Sequence, residues 1–252
     1  MSSSLVARSR VPEITVAFWV IKLLTTGIGE TSSDFLVKTL DPIPVVLVAA
    51  VVFAGCFALQ LRAGRYVPWR YWLFVTMVAV FGTMVADVTH IVFDVPYALS
   101  SAAFAVALVV LLTVWWRIEK TISVHSINTR SRELFYWAVV LATFALGTAF
   151  GDLTAVTLGL GYLGSGILFA ILFTVPLTVH GFGRAQTTSF WAAYVLTRPL
   201  GASIADWLAV EPARGGLALG TGPVSIVGLV LIAVAVGGMQ RRWSRSTEAY
   251  AA

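Results

Sequence analysis

Charged side chains are scarce in this sequence. They make up 12% of its 252 residues, against roughly 25% in an ordinary soluble domain. A chain so poor in charge cannot cover a folded surface in water. No polar stretch exceeds about twenty residues, so a separate soluble domain is excluded as well. Cysteine is nearly absent too. Cys56 stands alone in the middle of an apolar run, which excludes an intramolecular disulfide and assigns it to packing. There is no Walker A loop, which excludes ATP as an energy source within this chain, and no HExxH or GxSxG motif. The sequence therefore reads as a non-enzyme with no catalytic residues and no bound cofactor, apart from any divalent cation that it binds or transports.

What fills the space is apolar. Hydrophobic residues account for 58% of the chain, and mean hydropathy is +0.88. Runs such as "PVVLVAAVVFAGCFALQL" and "VSIVGLVLIAVAVGGM" approach the roughly 20 residues that cross a bilayer as a helix. Eight such spans are expected, near 14–36, 43–61, 71–92, 96–116, 134–157, 161–181, 188–209 and 221–239. The fold class follows: an all-α polytopic membrane bundle of eight transmembrane helices, forming a single domain over 1–252.

The net charge of +5 would suit nucleic acid, but the placement of the basic residues says otherwise. Thirteen of the 17 fall at the two ends or in the loops after spans two, four and six, among them Arg8, Arg10, Arg62, Arg130 and Arg241. Only Lys38 and Arg214 lie in the opposite loops. Such a bias marks the cytoplasmic side, so both termini are expected there, in a bacterial inner membrane. The partners implied are the bilayer and a small ion or solute, not nucleic acid; assembly into a homo-oligomer is compatible with this. The first apolar run is too long for a signal-peptide core and lacks a small-residue cleavage site, so it reads as a retained span. Trp19, Trp69, Trp72, Trp115, Trp116, Trp137, Trp191 and Trp243 all fall near the basic ends of spans, where tryptophan belts anchor helices at the interface. The expectation is that they are such anchors.

A repeat organises the chain. Trp19, Trp72, Trp137 and Trp191 are each followed ten residues later by Gly29, Gly82, Gly147 and Gly201, and five residues further by Asp34, Asp87, Asp152 and Asp206. W-x9-G-x4-D thus occurs four times, always in an odd-numbered span, with Phe18, Tyr71, Tyr136 or Phe190 before each tryptophan. The tryptophans are 53, 65 and 54 residues apart, which defines repeats near 12–64, 65–128, 129–184 and 185–245. The longer middle interval holds the connector "RIEKTISVHSINTRSRE" between two pseudosymmetric halves. Two spans per unit leave every copy in the same orientation, so the repeats are parallel and related by axes along the membrane normal.

Together, "FWVIKLLTTGIGETSSD", "RYVPWRYW", "SVHSINTRSRELFYW", "FALGTAFGD" and "YVLTRPLGASIAD" resemble a family of uncharacterised bacterial integral membrane proteins made of four tandem two-span repeats, each with a characteristic tryptophan. The resemblance covers nearly the whole chain. It implies the architecture and little of the chemistry.

The chemistry must come from ionisable residues inside the spans, which are costly in lipid and mark functional sites by default. Lys22, Thr26, Glu30 and Asp34 lie four apart, and so share one helix face. Asp87 and His90 share another face, and Arg198 and Asp206 a third. Pro199 and Gly201 sit inside the seventh span, where proline removes a helical hydrogen bond and tends to kink the helix; broken helices with freed backbone groups recur at transporter binding sites. The four glycines suit close helix packing. If the motif helices line one interior, Glu30, Asp34, Asp87, Asp152 and Asp206, with His90, converge in its outer half as ion- or substrate-binding groups. Lys22, Arg198 and Thr26 then serve as counter-ions or gating groups. Oxygen-rich, thiol-free clusters suit hard cations. The expected function is a secondary transporter for a small cation, a hard divalent metal such as Mn²⁺ or Mg²⁺ held by the five carboxylates, with proton coupling. A carrier of an anionic or zwitterionic solute bound by Lys22 and Arg198, and a non-transporting structural or sensory protein, are the alternatives.

Overall fold

The computed structural model describes residues 9–251, with side chains described as far as 245; Arg8, counted above, lies outside the described residues. Among the described residues the long elements are eight helices, and there is no strand. They are α1 Val16–Thr39, α2 Pro42–Leu61, α3 Pro68–Ile91, α4 Tyr97–Glu119, α5 Arg130–Asp152, α6 Gly161–Gly181, α7 Gln186–Ala209 and α8 Thr221–Ala251. Local signals set their starts. Thr15, Asp41 and Thr129 cap α1, α2 and α5 by accepting a backbone N–H with the side chain, and Pro42 and Pro68 open α2 and α3 where a missing N–H costs nothing.

Six helices, all but α1 and α7, are long and apolar enough to cross a membrane. Those two match α3 in length, at 24 residues each. They are less apolar: α1 carries Lys22, Glu30, Asp34 and Lys38, and α7 adds to Arg198 and Asp206 the polar Gln186, Thr187, Thr188, Ser189, Thr197 and Ser203.

The packing follows the repeat. The odd-numbered helices form a closed ring in which α1 packs on α3, α3 on α5, α5 on α7, and α7 back on α1. Each even-numbered helix lies mainly against the ring helix of the next repeat: α2 on α3, α4 on α5, α6 on α7, and α8 on α1. The last helix therefore closes the circle onto the first.

The motif glycines are what bring the ring together. A Cβ on Gly82 would lie 2.8 Å from Phe144 Cβ, one on Gly29 would lie 2.8 Å from the Ala79 carbonyl carbon, and one on Gly201 would lie 2.9 Å from Thr26 Cβ. On Gly147 it would run into the Arg198 side chain and come within 3.0 Å of Pro199 Cδ. Ala79, Phe144, Arg198 and Thr26 each stand three residues before the glycine of their own helix. One contact is thus repeated four times around the ring, as parallel repeats about a common axis require.

Two sequence expectations need correction. Most of the motif aromatics are not interface anchors. Phe18, Tyr71, Trp72, Tyr136, Trp137, Phe190 and Trp191 are all buried, Trp115 is buried beside Trp191, and Trp19 is half-buried. They pack as a layer of rings with neighbouring centroids about 5–6 Å apart, including Tyr71–Trp137 at 5.3 Å and Tyr136–Trp191 at 6.0 Å. The physical reason is position: helices on the inside of the bundle turn these side chains onto one another, away from lipid. Trp69 and Trp116, at 41% and 54% exposed, remain on the outside.

The second correction concerns Pro199. It does not break α7, which runs uninterrupted through it. Its ring lies against α5 where Gly147 and Gly151 have no side chains. The irregularity falls instead at the end of α5, where Leu153–Thr157 form a π-helical turn directly after Asp152. Such turns widen a helix locally and recur at functional sites.

Candidate functional site

At the centre of the ring the guanidinium of Arg198 is fully buried and reaches all three other ring helices. Its Nη1 donates to the Thr26 carbonyl at 3.0 Å. Its Nη2 lies 2.6 Å from Glu30 Oε2 and 2.7 Å from Thr148 Oγ1, and also hydrogen-bonds Thr83 Oγ1. Nη2 has two hydrogens for these three oxygens, so one contact is shared. Glu30, Thr83 and Thr148 each follow a motif glycine. The repeat therefore delivers three equivalent oxygen-bearing side chains to one point, and α7 supplies the cation. The Arg198–Glu30 pair is almost wholly out of solvent.

Beyond this ion pair, toward the aspartate end of the ring, lies a cavity of about 510 Å³. Glu30, Asp34, Asp87, Asp152 and Asp206 all line it, with Tyr97, Tyr162, Lys38 and Arg214. The sequence reading gave these last four no role at the site. Lys38 pairs with Asp34 at 2.5 Å one helical turn on, and Arg214 hydrogen-bonds the Tyr162 hydroxyl. Asp87, Asp152 and Asp206 have neither an ion-pair nor a side-chain hydrogen-bond partner among the described residues. The cavity thus holds five carboxylates. Glu30, the partner of Arg198, is one of them, and the exposed Lys38 and Arg214 stand on the cavity wall. No three of its acidic groups are grouped closely enough to enclose a metal ion, among the described residues.

The other candidates fall elsewhere. Lys22 does not line this cavity. It is buried at 1% exposure, with Nζ 4.0 Å from the Phe144 ring centre and 4.3 Å from that of Tyr194, and Nζ has no hydrogen-bond partner among the described residues. The expectation that it shares the aspartates' space is corrected. Lys22 is eight residues before Glu30 on α1, about 12 Å further from the cavity at 1.5 Å per residue. Thr26 lies between the two levels, its hydroxyl 3.1 Å from the Thr197 carbonyl. His90 also leaves the group. Its ring nitrogens are taken by the Val95 carbonyl at 2.6 Å and the Ser100 hydroxyl at 3.1 Å, and it packs on Tyr97, so it fastens the α3–α4 turn.

Thr83 and Thr148 were missed as site residues because threonine is unremarkable in an apolar span. Their register with Glu30 in the repeat was the signal.

Comparison with known proteins agrees with the internal symmetry. No curated protein and no solved structure matches the chain. The profile of a repeat of unknown function, DUF347, matches four times in tandem, over residues 17–66, 70–121, 135–184 and 189–242. These matches cover most of the sequence and coincide with the four structural units, and the chain belongs to the DUF347 repeat family.

Proposed function

We propose that the protein is a membrane carrier for a small cation, taken up in the carboxylate cavity. The observation that carries this reading is the cavity itself: five carboxylates from four helices around about 510 Å³, three of them without a partner. A network built only for stability would pair its charges, since an unpaired buried charge is expensive. Carboxyl groups without partners facing an open space are suited to receiving a cation. The volume lies within the usual range for small-molecule sites, roughly 300–1,000 Å³, and the carboxylates do not close on a bare ion. That favours a hydrated divalent ion such as Mg²⁺, which sheds water reluctantly, or an organic cation of similar size. An anionic solute held by Lys22 and Arg198 finds less support, because Arg198 is already engaged and Lys22 lies away from the cavity.

In this reading all eight helices span an inner membrane, the charged α1 and α7 being shielded inside the ring. Both termini are cytoplasmic and the cavity opens to the opposite side, on the distribution of basic residues. Arg198 and Glu30 form the inner gate. The reading is tested by uptake of Mn²⁺, Mg²⁺ and choline into proteoliposomes holding the full chain. Saturable uptake of at least one supports it, whereas rates equal to protein-free vesicles for all three refute it.

A further inference from the structure

We propose that the carboxylate cavity takes an organic ammonium ion, with its charged head against Asp87, Asp152, Tyr97 and Tyr162 and its alkyl body along the apolar wall. This rests on the carrier reading and decides between the two kinds of cation which that reading admits.

The cavity is more than a cluster of acids. Asp206 is only 7% exposed and lines it, yet has no hydrogen-bond or ion-pair partner among the described residues. A carboxyl group so far from solvent is left to meet whatever enters.

The repeat also places aromatic rings. Tyr97 and Tyr162 stand ten residues after Asp87 and Asp152, and all four line the cavity. The same position in the outer repeats is Pro44 or Gly216, and neither is in the wall. The outer repeats bring cations instead, Lys38 paired with Asp34, and Arg214. The middle repeats therefore contribute two carboxyl groups, two rings and no basic side chain to the lining. The face of an aromatic ring attracts a cation, and ammonium groups carrying alkyl substituents are recognised in this way.

Tyr162 already makes such a contact. The Arg214 guanidinium, itself an organic cation on the exposed turn Pro212–Arg214, lies 5.5 Å from its ring centre and donates to its hydroxyl. Arg214 thus acts as a tethered competitor, which an entering ammonium ion displaces.

The rest of the wall points the same way. Val46, Met84, Val88, Ile91 and Val156 supply much of it. The tightly held water of a divalent metal ion finds no hydrogen-bond partner along these side chains, whereas an alkyl body gains by leaving water against them. The acids cannot replace that water either, because no three of them group closely enough to enclose an ion, among the described residues.

The test measures initial uptake of choline, Mn²⁺ and Mg²⁺, each alone, into proteoliposomes holding the full chain. Saturable choline uptake faster than that of either metal is expected of the wild type. Tyr97→Leu is expected to raise the KM for choline about tenfold by removing a ring face, and Tyr97→Phe, which keeps the ring, to recover most of the loss. Arg214→Gln is expected to lower that KM, since the competitor is gone. Its place on an exposed turn keeps the test open should Tyr97→Leu not fold. Uptake of Mn²⁺ or Mg²⁺ that equals or exceeds that of choline overturns the inference and leaves the carrier reading standing. A choline KM that either folded variant, Tyr97→Leu or Arg214→Gln, leaves at the wild-type value overturns it as well. No uptake of any of the three by the wild type overturns both.

Discussion

Arg198 ties four helices together from one residue, and its removal leaves Glu30 charged and alone at the bottom of the cavity. Breaking such a buried pair from one side typically costs about 3–5 kcal/mol, whereas replacing both members by apolar residues of similar size costs far less. Arg198→Met is therefore expected to lower thermal stability by about that amount, and Arg198→Met with Glu30→Met to recover much of the loss. Thermal unfolding of the single and double variants in one detergent checks this. An Arg198→Met protein as stable as the wild type would show that the pair holds nothing together. The same scale governs the glycines. Gly29→Val places two methyl groups where the Ala79 backbone already stands, and overpacking of this kind costs about 1–3 kcal/mol or more. Gly55→Val, at a glycine with open space around it, is the control and should unfold near the wild-type temperature.

Among the elements, the odd and even helices have separate roles, and the sequence showed this unevenly. The W-x9-G-x4-D spacing put four aspartates at one depth on four equivalent helices, and that placement was readable because helical geometry converts spacing directly into position. The tryptophans were misread because nearness to a basic loop is a signal about depth. It says nothing about which way a side chain turns. Direction came only with the ring, which points Trp72 and Trp137 inward. Pro199 was misread for a related reason: its local effect depends on whether the neighbour makes room, and α5 does so with glycine. The π-helical turn after Asp152 has no sequence signature as plain as a proline. If that turn positions Asp152 in the cavity, deleting Val156 should restore a regular helix and rotate or withdraw the carboxylate. Cation binding is then expected to weaken while the fold survives. Unchanged binding in the deletion variant would make the turn incidental.

For the whole molecule, the closed ring and the swapped contact of each even helix with the next repeat leave no repeat complete on its own. The last helix supplies α1 with the neighbour that α2 supplies to α3. The proposed orientation rests on charge, and its test is direct: in a protein with Cys56→Ser, single cysteines placed at Arg130 and Pro212 should be labelled from opposite sides of the membrane. Labelling of both from the same side would remove the proposed topology.

The central claim is that the unpaired carboxylates exist to receive a cation. It is met most directly by measuring cation uptake in proteoliposomes for Asp87→Asn and Asp152→Asn beside the wild type, with thermal unfolding recorded on the same preparations. The amide keeps the size and removes the ionisable group, and neither aspartate has an ion-pair partner among the described residues to lose. The account predicts uptake reduced to that of empty vesicles with the unfolding temperature unchanged or raised. Full uptake together with a lowered unfolding temperature would make the aspartates structural and contradict it.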